Sequence, residues 1–138
     1  MRLAYSVTLA AALAGVAAIL LRAAWYSGPF FRWVWSRVGP AVDSVGAQLP
    51  APRWRVHATV GLSYIVMALV FTLIARVMGA DTAARGAAFG MLLWLGFVFP
   101  SLLLTSMFAQ RTTTAFLIDV LFNFAYLTII GAIVGALL

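Results

Sequence analysis

Charged positions are confined almost entirely to the gaps between four long apolar stretches of the chain. Of the nine arginines and three aspartates, only Asp119 lies inside one of these stretches, which cover residues 3–21, 58–75, 86–109 and 112–138. Each stretch is close to the roughly 20 residues that an α-helix needs to cross a ~30 Å hydrocarbon layer. The pattern predicts an all-α membrane protein, a single domain of residues 1–138 with four transmembrane helices at about residues 3–26, 57–77, 84–109 and 113–137.

The connections between the four predicted spans differ in length. Residues 40–56 form a long first connection that holds three of the five prolines, whereas the connections near residues 79–82 and 110–112 are tight turns. Short connections join antiparallel neighbours, so we expect the spans to form an antiparallel bundle. Pro100 lies inside the third span, where it removes a backbone hydrogen bond and predicts a kink near residues 96–100.

An aromatic and basic segment follows the first span. Gly28-Pro29 ends the first helix, because proline disfavours the helical conformation at the residue before it. Trp and Tyr rings favour the level of the lipid headgroups, so a short interfacial helix is expected over about residues 30–38, with an irregular loop packed on the bundle as the alternative. The residues expected at the interface are Trp25, Tyr26, Arg32, Trp33, Trp35 and Arg37.

Composition supports the membrane interpretation and excludes several classes of protein. With 65% hydrophobic residues, 9% charged residues and a mean hydropathy of +1.09, the chain has too little polar surface for a soluble domain. It contains no cysteine, so disulfides and thiolate metal sites are impossible. The net charge of +6 comes from arginines that flank the spans, which is typical of contact with anionic lipid headgroups. We therefore expect the lipid bilayer, and no nucleic acid, as a partner.

The distribution of arginines predicts the orientation of the chain. Six arginines lie in the long first connection, at its edges or in the turn near residue 111, and three lie on the opposite side. Because arginine-rich loops stay in the cytoplasm, the long first loop is expected there and both termini outside.

Several short motifs resemble a known family. They are Trp25-Tyr26-Ser27-x-Pro29-Phe30, Trp94-Leu95-Gly96-Phe97-Val98-x-Pro100, Phe116-Leu117-Ile118-Asp119 and Gly131-Ala132-Ile133-Val134-Gly135. Together they are similar to a family of small four-span bacterial and fungal membrane proteins known as domain of unknown function 1761, over nearly the whole chain. The resemblance implies the four-span fold and the bacterial inner (cytoplasmic) membrane. It implies no activity.

A polar cluster around Asp119 is the first candidate site. Asp119, Asn123 and Tyr126 share one helical face at spacings of four and three residues, and by the predicted topology Arg22 and His57 approach the same leaflet, as do Ser101 and Thr105. An acid in the hydrocarbon layer costs several kcal/mol unless it is neutral, paired or hydrated. The cluster is therefore either a proton- or ligand-binding site with Arg22 or His57 as the counter-charge, or an Arg–Asp pair that only fixes helix packing, or an acid near enough to the interface to be hydrated.

The same cluster lacks the parts of an active site. One carboxylate without a second catalytic group is weak evidence for an enzyme, and a single histidine without Cys or Glu cannot build a metal site. We therefore expect no catalytic residues, no metal and no cofactor.

Two glycine motifs are the second candidate feature. Gly86-x-x-x-Gly90 and Gly131-x-x-x-Gly135 would let helix backbones touch, either within one chain or across the interface of a homo-oligomer or membrane complex. With so few polar residues inside the spans, the first functional hypothesis is an interaction or accessory subunit, or a self-associating helical bundle, without catalytic activity. The alternative is a small transporter or channel with a polar site around Asp119.

Overall fold

The computed structural model describes residues 2–27, 53–110 and 112–138, together with the single residue Trp33. Over these ranges the chain forms α1 (Arg2–Ser27), α2 (Arg53–Val77), α3 (Ala83–Leu93), a π-helical turn (Trp94–Val98), α4 (Phe99–Phe108) and α5 (Thr113–Leu137), with no β-strand among them. The segment from α3 to the end of α4 is continuous and is called the third span below. Helix α2 begins before residue 57, the start expected from the sequence.

Within the described residues, four helices are long and apolar enough to cross a bilayer. They cover Tyr5–Tyr26, Trp54–Val77, Ala83–Phe108 and Thr113–Leu137. The predicted all-α, four-span membrane fold is therefore confirmed. The predicted interfacial helix over residues 30–38 lies outside the described residues apart from Trp33, which is helical and exposed.

Threonine side chains cap the N-termini of two helices. The hydroxyl of Thr82 accepts a hydrogen bond from the backbone N–H of Arg85 at the start of α3, and that of Thr112 accepts one from Ala115 at the start of α5. Such caps satisfy N–H groups that have no partner within the helix. Gly79, with a φ of 69°, provides the left-handed conformation for the turn between α2 and α3.

The third span changes its hydrogen bonding just before Pro100. The backbone N–H of Phe99 donates to the carbonyl of Trp94, five residues earlier, so residues 94–98 form a π-helical turn. Pro100 has no N–H, and in a regular helix its ring would clash with the carbonyl of Gly96. A π turn is one way for a helix to absorb such a break. The sequence predicts the position of this irregularity but not its form.

Helix α5 lies at the centre of the fold. It packs against α1, α2 and every part of the third span. In its most apolar segment 44% of the residues are buried, compared with 6% in that of the third span. Small residues let α1 approach α2, since a methyl group added to Gly15 would lie 3.7 Å from atoms of Ile65 and Ala68. Large side chains of α5, led by Tyr126, Phe122 and Ile130, fill the space between the helices.

The two glycine motifs lie against each other inside the chain. A methyl group added to Gly86 would overlap the carbonyl oxygen of Gly131, and one added to Gly90 would overlap the carbonyl oxygen of Leu127. A methyl group on Gly135 would likewise overlap the carbonyl of Thr82. The spacing leaves open contact within one chain or across an interface between chains. In the structure the glycines pack α3 on α5 within the chain.

Candidate functional site

A hydrogen bond between α1 and α5 forms the centre of the polar cluster. The hydroxyl of Tyr26 donates to Oδ1 of Asp119 at 2.8 Å, and both side chains are half-buried. Tyr26 lies in the last turn of α1, and Asp119 lies about two turns into α5. Because α1 and α5 run in opposite directions, these two positions come together. A carboxylate that accepts a hydroxyl hydrogen bond is partly compensated for its loss of water.

Arg22 lies one turn before Tyr26 and contacts two tyrosines. Its guanidinium carbon is 4.7 Å from the centre of the Tyr26 ring and 6.0 Å from that of Tyr64, and its Nη1 donates to the Tyr64 hydroxyl at 3.3 Å. Aromatic faces attract cations because their π electrons carry partial negative charge. The Tyr26 side chain therefore links the arginine, through its ring, to the aspartate, through its hydroxyl.

Asn123 and Tyr126, the other two residues of the predicted helical face, make different contacts. The Asn123 side-chain amide donates to the backbone carbonyl of Asp119 at 2.8 Å, which orients it along the helix. Tyr126 is fully buried, packs edge-on against Tyr64 and stacks on Phe122. Within the described part of the chain its hydroxyl has no hydrogen-bond partner.

His57 lies beside the cluster across a cavity. A cavity of about 440 Å³ between α1 and α2 is lined by Arg22, Tyr26 and His57 together with apolar side chains. His57 is exposed and sits near the beginning of α2. Tyr26 thus borders this cavity and also donates to Asp119.

Two predicted neighbours lie elsewhere. Ser101 and Thr105 are exposed on the third span, and each hydroxyl donates to a carbonyl of its own helix, Phe97 and Ser101 respectively. The hydrogen bonds that the structure shows for both hydroxyls therefore lie within the third span, not with the cluster. Their partners are local, as is usual for serine and threonine in apolar helices.

Two cluster members were not assigned to it from the sequence. Tyr26 was expected at the interface, although its position four residues after Arg22 puts it on the same helical face. Tyr64 was not selected at all, although it follows His57 by seven residues and shares its face of α2. Trp25, which was also expected at the interface, packs its ring against that of Phe122, and the two ring centroids are 5.9 Å apart.

The acidic side chains of the described part lie in two different places. Among the described residues, no group of three or more His, Asp and Glu side chains is close enough to hold a metal ion. The second acidic residue of the described part, Asp81, pairs with Arg85 on the surface at 2.6 Å, with both side chains more than half exposed.

The fold and the cluster define a four-span, all-α membrane protein with a half-buried Arg–Tyr–Asp array between two of its helices. The chain belongs to the family described as protein of unknown function DUF1761, which matches residues 9–135. The match covers nearly the whole chain and confirms the resemblance seen in the sequence motifs. No curated protein and no solved structure matches the chain.

Proposed function

We propose that this protein is a small, non-catalytic transporter or channel in which Asp119 binds a proton within the membrane. The observation that carries the proposal is the Tyr26–Asp119 hydrogen bond, because the same tyrosine borders the cavity that contains His57. An ionisable residue inside a span is costly and commonly marks an ion or proton pathway. His57 and Tyr26 would then be the groups through which a proton reaches the carboxylate.

Several titratable or charged side chains lie around Asp119. The titratable or charged members of the cluster are Arg22 and Tyr26 on α1, His57 and Tyr64 on α2, and Tyr126 on α5.

Proton movement into vesicles tests this proposal. The protein is reconstituted into liposomes that contain a pH-sensitive dye, and a pH step is applied outside. We expect wild-type vesicles to equilibrate faster than protein-free vesicles, and Asp119→Asn to reduce the rate to the protein-free level, because the amide cannot bind the proton.

The matched control is Asp81→Asn, which removes an exposed carboxylate from the Asp81–Arg85 surface pair. It should keep the wild-type rate. Two results would overturn the proposal: a wild-type rate equal to that of empty vesicles, or equal rates for Asp119→Asn and the wild type.

A second candidate, an accessory subunit of a larger complex, is favoured by the surface of the third span. Only 6% of the residues in its most apolar segment are buried inside the chain, and side chains such as Phe97, Met107 and Phe108 are exposed. This surface can contact lipid alone or a partner protein. The glycine motifs give no support to self-association, since they are occupied by packing within the chain.

Native purification in mild detergent, with measurement of the mass of the intact particle, separates a monomer from a homo-oligomer or mixed complex.

We further propose that the protein resides in a bacterial inner membrane with its long first loop in the cytoplasm. The support is the excess of arginine on that side of the four spans. A single cysteine in the cysteine-free chain tests the orientation. Ser44→Cys should react with a membrane-impermeant thiol reagent only after cell lysis, whereas Leu138→Cys should react in intact cells. The reverse pattern would invert the assigned orientation.

A further inference from the structure

The cavity between α1 and α2 that contains His57 is lined by one face of each helix. Its α1 residues follow the i, i+3, i+4, i+7 spacing of a helical face, and its α2 residues form two adjacent pairs one turn apart. They are Ile19, Arg22, Ala23 and Tyr26 of α1 and Val56, His57, Val60 and Gly61 of α2. Its volume of about 440 Å³ lies within the roughly 300–1,000 Å³ range of small-molecule pockets. The cavity therefore has room for a small organic molecule.

Gly61 leaves open space at the wall of this cavity. A methyl group added to Gly61 would have no atom within 4 Å, whereas one added to Gly86 would overlap a backbone carbonyl. Helix packing therefore requires glycine at residue 86 but not at residue 61. A larger side chain at residue 61 would extend into the open space beside the cavity wall.

The polar groups around the cavity favour an anion over a cation. Arg22 carries five N–H donors, of which the Tyr64 hydroxyl accepts one, and His57 has at least one N–H donor in either protonation state. Among the described residues that line the cavity, none is acidic. A guanidinium binds a carboxylate through two parallel hydrogen bonds, a geometry that its planar fork matches.

The polar and apolar parts of the cavity lie at different depths. Because α1 and α2 run in opposite directions, Tyr26 near the end of α1 and His57 near the beginning of α2 lie at the same end of the cavity. Ile19, seven residues before Tyr26, lies about 10 Å further along the helix at 1.5 Å per residue. The inner part is lined by the hydrocarbon side chains of Ile19 and Val60 together with Gly61.

We propose that this cavity binds a small carboxylate anion with an apolar body. The Arg22 guanidinium holds the carboxylate by a two-point contact, and His57 donates a further hydrogen bond. The apolar body lies against Ile19 and Val60, in the space that Gly61 leaves open. Burial of this body against hydrocarbon walls adds to the affinity that the charge provides.

The proposed binding does not depend on proton movement, and only its role in transport rests on the proposed function. The Tyr26 side chain contacts Arg22 through its ring and Asp119 through its hydroxyl, so the anion and proton sites lie on either side of one residue. An anion that crosses together with one proton carries no net charge, which avoids the cost of moving a charge through hydrocarbon.

Saturation-transfer NMR on the protein in mild detergent tests the binding with three probes of similar size. They are benzoate, benzyl alcohol and benzylammonium, titrated at neutral pH with protein-free micelles as the background. We expect benzoate to bind about tenfold more tightly than either of the others, since only the carboxylate makes charge-assisted hydrogen bonds with the guanidinium. Acetate, which lacks the apolar body, should bind about tenfold more weakly than benzoate.

The contribution of the guanidinium is tested by substitution of Arg22. Arg22→Gln should weaken benzoate binding about tenfold, and Arg22→Lys should weaken it less, because lysine keeps the charge but loses the planar fork. The matched control is Arg85→Gln, which removes an exposed arginine of the third span and should leave benzoate binding unchanged.

Gly61→Leu tests the cavity itself. The added side chain occupies space at the cavity wall and should weaken benzoate binding about tenfold. Gly96→Leu is the control, because a methyl group at Gly96 of the third span also has no atom within 4 Å. Since Gly61→Leu does not alter Arg22, it remains informative if Arg22→Gln prevents folding.

Four outcomes would overturn the proposal. The first three are benzyl alcohol or benzylammonium binding as tightly as benzoate, equal effects of Arg22→Gln and Arg85→Gln, and equal effects of Gly61→Leu and Gly96→Leu. The fourth is acetate or inorganic phosphate binding as tightly as benzoate, which would mean a site for any small anion. Benzoate binding without proton flux would reject the proton pathway alone, whereas flux without benzoate binding would reject this inference alone.

Discussion

Replacing Gly86 with alanine is expected to destabilise the protein by about 3 kcal/mol or more and to separate the third span from α5. The added methyl group would overlap the carbonyl oxygen of Gly131 and lie 3.0 Å from the Cα of Gly135. Adding a methylene to a well-packed core typically costs about 1–3 kcal/mol. Here the obstacle is backbone, which cannot rotate away as a side chain can. Thermal unfolding in detergent, followed by the change in tryptophan fluorescence, measures the effect.

The matched control for this prediction is Gly61→Ala on α2. No atom lies within 4 Å of the position that its methyl group would occupy. Alanine in the interior of a helix is more favourable than glycine by about 0.5–1 kcal/mol, so this variant should be unchanged or slightly more stable. Equal melting temperatures for Gly86→Ala and Gly61→Ala would mean that α3 and α5 do not pack through their glycines.

The same pair of variants also separates internal packing from self-association. If the glycines joined two copies of the chain, Gly86→Ala would lower the mass of the particle while leaving the unfolding of each copy unchanged. Packing within one chain predicts a lower melting temperature at any protein concentration, because the contact is then intramolecular.

The spans were predictable from the sequence because the bilayer imposes them. An uncharged run of about 20 residues has few alternatives to a membrane helix, and the described helices follow those runs. Helical spacing also placed Asp119 and Asn123 together. The position of Pro100 predicted an irregular third span, but whether a helix kinks or forms a π turn depends on its neighbours as well as on the proline.

Contacts between helices were less predictable. Tyr64 lies in an apolar run and has no sequence feature that reveals its contact with Arg22, because that contact depends on how α1 and α2 pack. Tyr26 was assigned to the interface by its residue type, whereas its hydroxyl binds Asp119 from a neighbouring helix. The glycine spacing predicted close approach, but the partner of each glycine followed only from the packing of α3 on α5. Where sequence reasoning stopped, the missing information was which helix faces meet.

The energy of the Tyr26–Asp119 contact can be measured by a double-mutant cycle. We expect Tyr26→Phe and Asp119→Asn each to lower stability by about 1.5–3 kcal/mol, the range for hydrogen bonds to charged groups. The double variant should be little worse than either single one, because Tyr26→Phe removes the donor and Asp119→Asn removes the charge of the acceptor in one and the same bond. Unfolding free energies of the four proteins in detergent give the coupling.

Two further variants, Arg22→Leu and Asp81→Asn, extend the measurements on Tyr26 and Asp119. If Arg22 and Asp119 are coupled through Tyr26, then Arg22→Leu should recover part of the stability lost in Asp119→Asn, since an unneutralised arginine near the hydrocarbon is removed with its partner. Asp81→Asn breaks an exposed pair and should cost no more than about 1 kcal/mol.

Additive effects of Tyr26→Phe and Asp119→Asn would contradict an energetic role for their hydrogen bond. If Asp119→Asn kept full stability but lost proton flux, the carboxyl would serve binding rather than packing.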